Sequence, residues 1–226
     1  MPLLSRLALL LLITAAPSFA QTPAGNAGTH DVAIARVKYD GGGDWYSGER
    51  SVPTLLAFVR ENTLLDVPPR EDIVELHSES LFQYSYLYLN GHGNVVFSER
   101  EVQRLRRFLT SGGFLHINDD YGMDPFIRRE MRKVFPDQQF VDVPLDHPVY
   151  NIHFHFPDGI PKIHEHDGKP AQGLGLFHEG RLVVFYSYES DLGDGWEPPE
   201  VHGNPEEIRL KALRLGTNLL LYAMTH

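Results

Sequence analysis

The sequence predicts a three-layer α/β domain with a mainly parallel sheet and an added β-hairpin. Three observations carry this expectation. Strand-like and helical runs follow in the order strand, helix, strand, strand, helix, strand, helix, the pattern of a parallel sheet covered on both faces. Hydrophobic residues make up 42% and charged residues 22% of 226, values of a globular chain rather than a disordered or multi-pass membrane one. Residues 173–177 and 181–188 flank His178-Glu179-Gly180 and read as a hairpin.

Each element has a local reason. Asp31–Tyr39 (DVAIARVKY) alternates and reads as a strand. In Ser51–Asn62, Ser51 is placed to cap, Pro53 sits in the first turn, and Leu55, Leu56 and Val59 form an apolar face. Asp72–His77 and Tyr84–Asn90 are the next two strands. Ser98 with Glu101 fits a capping box, and Val102, Leu105, Phe108 and Leu109 form the stripe of the helix that follows. Gly112-Gly113 ends it, and Phe114–Asn118 is a fourth strand. Asp124-Pro125 opens a helix with Ile127, Met131 and Val134 inward. Residues 140–156 are strand-like but irregular, and a long helix runs from Pro205 to about Ala223.

Residues 1–20 carry the marks of a secretory signal peptide. Arg6 supplies a positive start, Leu7 to Ala16 an apolar run, and Ser18-Phe19-Ala20 the small residues of a cleavage site. That run is short for a membrane span, which needs ~20 residues. Residues 21–30 read as a linker and 31–226 as a single domain. The expected location is periplasmic or secreted, with no membrane span after cleavage. The chain has no Cys, which excludes disulfides, thiolate metal ligands and a Cys nucleophile. Its net charge of −10 opposes binding to nucleic acid or anionic lipid, both of which need Lys and Arg.

In open α/β sheets, ligands bind beyond the carboxyl ends of the strands. The segments expected there are rich in Gly, acids, His and aromatics. They are Gly41–Tyr46, Gly91–Asn94, Asp119–Asp124 and Glu189–Trp196. They offer Asp119, Asp120 and His92 as candidate catalytic groups, and Asp44, Trp45, Tyr46, Tyr121, Glu189 and Asp191 as candidate ligand-binding groups. Asp119 and Asp120 are adjacent, so their side chains diverge and one of the two is expected to face the crevice. Trp45 and Trp196 read either as rim aromatics or as core.

Six of the twelve His lie between His147 and His178. His153-Phe154-His155 reads as an alternating segment with both imidazoles on one face. His164-Glu165-His166-Asp167 repeats the spacing and adds an acid. Two imidazoles and a carboxylate can hold a divalent metal, so His164, His166 and Asp167 are the candidate ligands. H-x-H alone is common in structural settings, and spacing fixes no third ligand.

The ordered runs IARVKYDGGGDWY, YLNGHG, SGGFLHINDDYGMD, PLDHPVY, PKIHEHDGKP and FYSYESDLGDGWEPPEVH resemble the bacterial domain-of-unknown-function family 4159 over about residues 31–226. The resemblance implies a flavodoxin-like fold similar to the class I glutamine-amidotransferase-like superfamily, and no established activity. In that superfamily a strand turns sharply into a helix at a nucleophile that is usually Cys. Here FLHINDDYG holds the place, and Asp119 and Asp120 stand where the thiol is expected. A carboxylate is a poor acyl-transfer nucleophile, which argues against glutaminase chemistry. Three functions follow as expectations: a domain binding a small polar ligand such as a sugar or peptide fragment, a metal-assisted hydrolase, or an interaction module for an envelope protein partner.

Overall fold

The computed structural model describes residues 30–226. The expected signal peptide and nearly all of the linker lie outside the described residues. Seven strands form one sheet: β1 (Ile34–Lys38), β2 (Asp72–Glu75), β3 (Tyr86–His92), β4 (Phe114–Tyr121), β5 (Val141–Asp142), β6 (Gln172–His178) and β7 (Arg181–Tyr188). Their order is β2-β1-β3-β4-β7-β6-β5. The first five in that order are mutually parallel, while β6 runs antiparallel to both β7 and β5. The hairpin thus continues the sheet through its second strand, β7, which joins the parallel set beside β4.

Helices cover both faces. On one face α1 (Ser51–Asn62) and the long α6 (Glu206–Thr225) pack with the short α4 (Leu192–Trp196), burying Leu55, Leu56, Val59, Leu215, Leu219 and Trp196 against Tyr86, Tyr88, Phe114 and Phe185. On the other face α2 (Glu99–Thr110) and α3 (Asp124–Val134) bury Val102, Leu105, Leu109, Ile127 and Met131 against Val37, Leu87, Leu89, Leu115 and Ile117. The alternation of each strand supplies one residue set to each core. The result is a mixed α/β architecture with a seven-stranded, mostly parallel sheet. Among the described residues, no helix is long and apolar enough to cross a membrane.

The capping box of α2 is present, with Ser98 and Glu101 satisfying each other's backbone groups. Five local expectations are corrected. Ser51 does not cap α1: its hydroxyl donates to the Gly48 carbonyl, and Arg50 precedes the helix without a side-chain cap. Residues 140–156 form one strand, the two-residue β5, and a 3-10 turn at Pro148–Tyr150, because Pro144 and Pro148 remove ladder donors and the chain turns at Asp146-His147. His153 and His155 consequently do not share a strand face: His153 pairs with the Asn62 carbonyl and His155 with Asn151. Leu192–Trp196, read as loop, is a helical turn that buries Trp196, whose indole donates to the Ala212 carbonyl. Finally, β4 continues past Asn118 to Tyr121, so Asp119 and Asp120 belong to the strand and the turn into α3 falls at Gly122 and Met123.

Candidate functional site

Parallel strands bring their carboxyl ends to one rim, and β1, β3, β4 and β7 deliver the segments that follow them there. A further segment, residues 161–169, is clipped onto the end of β7. The Ile163 amide donates to the Ser190 carbonyl at 2.9 Å, and the Ser190 hydroxyl donates to the Pro161 carbonyl at 2.6 Å. Together they enclose an open cleft of ≈ 600 Å³ lined by His92, Asp120, Tyr121, His164, Glu165, His166, Asp191 and Asp194. The volume lies within the usual range for small-molecule sites. The lining holds no Lys or Arg.

Asp120 and Asp191 are the buried acids of this cleft, 8% and 2% exposed. Asp120 accepts from Ser47 Oγ (2.6 Å), Asn90 Nδ2 (3.2 Å) and Asn118 Nδ2 (2.6 Å). Burial, then the charge of Asp191, pushes its carboxyl up to about 6. Arg36, buried beneath, donates to Asn90 Oδ1 and to the carbonyls of Ser47 and Gly48, which fixes the loop that brings Ser47 to Asp120. Asp191 faces His164 Nδ1 at 3.5 Å and His166 Nε2 at 3.4 Å. Burial alone would raise its carboxyl, but the two imidazoles outweigh burial and hold it below its ordinary value. Glu189 and Asp191 both adopt left-handed backbone, φ 55° and 60°. That conformation costs a non-glycine residue roughly 1–2 kcal/mol. Here it turns two acids, separated by Ser190, away from the strand path.

Asp194 accepts from His164 Nδ1 (2.8 Å) and His202 Nε2 (3.1 Å), and Glu197 lies 2.8 Å from the same His202 nitrogen. Burial, then Asp191 and Asp120, raises Asp194 to about 8. His164 is raised to about 9, chiefly by its hydrogen bond to Asp191. Gly193, ahead of Asp194, has no room for a side chain: an added Cβ would sit 2.6 Å from the Tyr88 hydroxyl and 3.0 Å from Asn118. Gly91 is equally constrained by Tyr39 and Asp44 at φ 136°.

The rim gathers His92, Asp120, Tyr121 and Asp191 from the segments after the strands, together with His164 and His166 from the His-rich stretch. Asp44 stands behind them, accepting from the backbone amide of His92 and facing its Nδ1 at 3.0 Å. Glu189 is buried next to Lys162 Nζ (3.0 Å), which ties it to residues 161–169. Four expected members are placed elsewhere. Asp119 points to the opposite face of the sheet, accepting from the Met123 amide and the Tyr186 hydroxyl, because adjacent strand residues alternate. Trp45 and Tyr46 line a neighbouring hollow with Arg36, Arg50 and Glu71. Asp167 accepts from the Tyr121 hydroxyl and pairs with Lys169, outside the cluster of metal-ligand type.

Asp194, Glu197, His202 and Asn204 escaped the sequence reading as site residues. Their only signal was the density of acids, Gly and His across DLGDGWEPPEVHGN, where the helical turn of α4 and the short α5 (Pro199–His202) fold the segment back on itself.

The comparison with curated proteins finds no match to this chain. The sequence does match, over residues 33–224, the family described as Domain of unknown function (DUF4159). Nearly the whole α/β domain described above lies within that match, and the chain belongs to this family.

Proposed function

We propose that the protein is a periplasmic or secreted domain that binds a small polar ligand in the cleft at the carboxyl ends of its strands. The ligand class is one rich in hydroxyl or amine groups, such as a sugar or a peptide fragment. One observation carries the reading. The buried carboxylates of Asp120 and Asp191 sit in an open cleft that offers acids and imidazoles and no Lys or Arg. Such a lining accepts hydrogen bonds from hydroxyls and ammonium groups and repels anions. Tyr121, half exposed at the edge, adds an aromatic face of the kind on which sugars stack.

We also read the fold as flavodoxin-like and related to the class I glutamine amidotransferases. The order of the five parallel strands, β2-β1-β3-β4-β7, supports this, since it follows the 2-1-3-4-5 plan of that group. The turn from β4 into α3 carries Tyr121-Gly122 and no thiol, so the domain retains the crevice without thiol chemistry.

A thermal-shift and calorimetric screen of amino sugars and peptidoglycan fragments tests the ligand. A hit that is lost in Asp120→Asn and kept in the exposed, remote Lys211→Ala is the expected result. A hit that survives Asp120→Asn would show that the cleft is not the binding site.

A further inference from the structure

From the side chains around α4 and α5 we infer a site for one divalent transition metal, of the zinc class, held by His164 Nδ1, the Asp194 carboxylate and His202 Nε2. The ligand atoms of these three residues all lie within 4.8 Å of one another. Two imidazoles and a carboxylate form a donor set that suits zinc, cobalt and related ions. His164 stands 2.8 Å and His202 3.1 Å from Asp194, so separations near those around a tetrahedral ion, about 3.4 Å, require only small side-chain rotations.

A surrounding shell prepares the ligands. Asn204 Oδ1 lies 3.1 Å from His164 Nε2 and Asn204 Nδ2 donates to the Asp194 carbonyl at 3.3 Å. Asn204 thus holds Nε2, which leaves Nδ1, the atom facing Asp194, as the nitrogen whose proton an ion would replace. A lone pair directed at a carboxylate oxygen is repulsive unless a proton or a cation lies between them. Glu197, buried, lies 2.8 Å from His202 Nε2, the nitrogen that would ligate the ion, so metal binding replaces that contact. Asn204 orients His164 and the Asp194 segment by hydrogen bonds of the kind that fix ligand direction at metal centres.

Charge points the same way. Among the described residues, Asp191, Asp194 and Glu197 have no Lys or Arg partner; their only ion-pair partners are His164, His166 and His202. The three ligands are partly exposed, 20–30%, so an ion can enter. His164 and Asp194 also line the cleft, so coordination positions not taken by protein open toward it. Of the set expected from H-x-H spacing, only His164 belongs here. His166 turns to Asp191 and Asp167 to Tyr121.

The test is independent of the polar-ligand reading. The protein, purified without a His-tag and stripped with a chelator, is titrated calorimetrically with Zn²⁺ and its metal content measured after dialysis. One equivalent per chain is expected in the wild type and none in His202→Ala. Asn204→Ala should weaken the affinity by ~10–100-fold, while His153→Ala/His155→Ala should leave it unchanged. Absence of stoichiometric uptake by the wild type, or uptake that persists in His202→Ala, overturns the site. X-ray absorption of the Zn²⁺-loaded wild type needs no variant to fold, and a spectrum lacking two imidazole ligands overturns it as well. Asp120→Asn separates the two ideas, since it should abolish ligand binding and leave the metal in place.

Discussion

His116 and His164 both sit among polar residues next to the same half of the sheet, yet their surroundings are opposite in kind. His116 lies on β4 facing α1 and α6, fully buried, with Tyr86 hydroxyl at 3.0 Å on Nδ1 and Ser187 Oγ at 3.0 Å on Nε2. The Ser187 hydroxyl donates to the Ile117 carbonyl or to Asn118 Oδ1. Every donor meets an acceptor, no formal charge is present, and burial drives the imidazole down to about 3, so it stays neutral. His164 lies beyond the strand ends, partly open, among carboxylates that no Lys or Arg neutralises. Asn118 joins the two regions, accepting from Ser187 and donating to Asp120 and Asp191. A closed network rigidifies the sheet. An open one with surplus charge is left for something from outside to complete.

This contrast is sharpest under mutation of the closed network. His116→Leu strips partners from Tyr86 and Ser187 and should destabilise the fold by about 3 kcal/mol in urea melts. Metal uptake and ligand binding at the rim should survive in the folded fraction. A loss below about 1 kcal/mol would mean that the network is not closed as described.

The open cluster predicts a pH dependence. Asp120 and Asp194 titrate near 6 and 8 when folded, above the ordinary carboxylate value of 3.8. The folded state therefore binds their protons more tightly than the unfolded chain. That stability is complete below about pH 4 and is lost as pH rises through about 6 and about 8. His164, raised to about 9, acts in the same direction above its ordinary 6.5. Asp191, lowered, acts in the opposite sense below pH 4, and His116, lowered to about 3, opposes the fall below its ordinary 6.5 without cancelling it. In chelator, the melting temperature should fall by roughly 5 °C from pH 5 to 8. Asp194→Asn should flatten that fall and leave the metal-free protein at least as stable as wild type at pH 8. A profile that rises over this range would contradict the charge surplus.

The smallest effect comes from a neighbour on β3. Tyr88 hydroxyl is the one buried side-chain oxygen or nitrogen among the described residues without a hydrogen-bond partner. Tyr88→Phe should change stability by less than about 1 kcal/mol, whereas Tyr86→Phe removes the partner of His116 and should cost about 1–3 kcal/mol. Equal losses in the two variants would show that Tyr88 has a partner, such as an ordered water.

Local patterning made the scaffold readable. Alternation in DVAIARVKY and FLHIN, the Ser98–Glu101 cap and the stripe Val102-Leu105-Phe108-Leu109 each report a preference that neighbouring residues settle among themselves. Parallel strands then oblige the segments after β1, β3, β4 and β7 to meet at one rim, so the site's location was also legible, as was the divergence of Asp119 from Asp120.

The composition of the site was not. That β4 runs on to Tyr121 depends on pairing with β3, a contact far apart in sequence that holds Asp119 within the ladder and turns it to the α2–α3 face. That His164 meets His202 across 37 intervening positions depends on Ser190 clipping residues 161–163 and on α4 and α5 folding back beneath them. The sequence by itself determined elements, layers and the rim, because short-range sterics and hydrophobic period suffice for those. Only the tertiary structure decided which acids and imidazoles share a charge cluster, because Coulomb interactions depend on distance in space and are blind to distance along the chain.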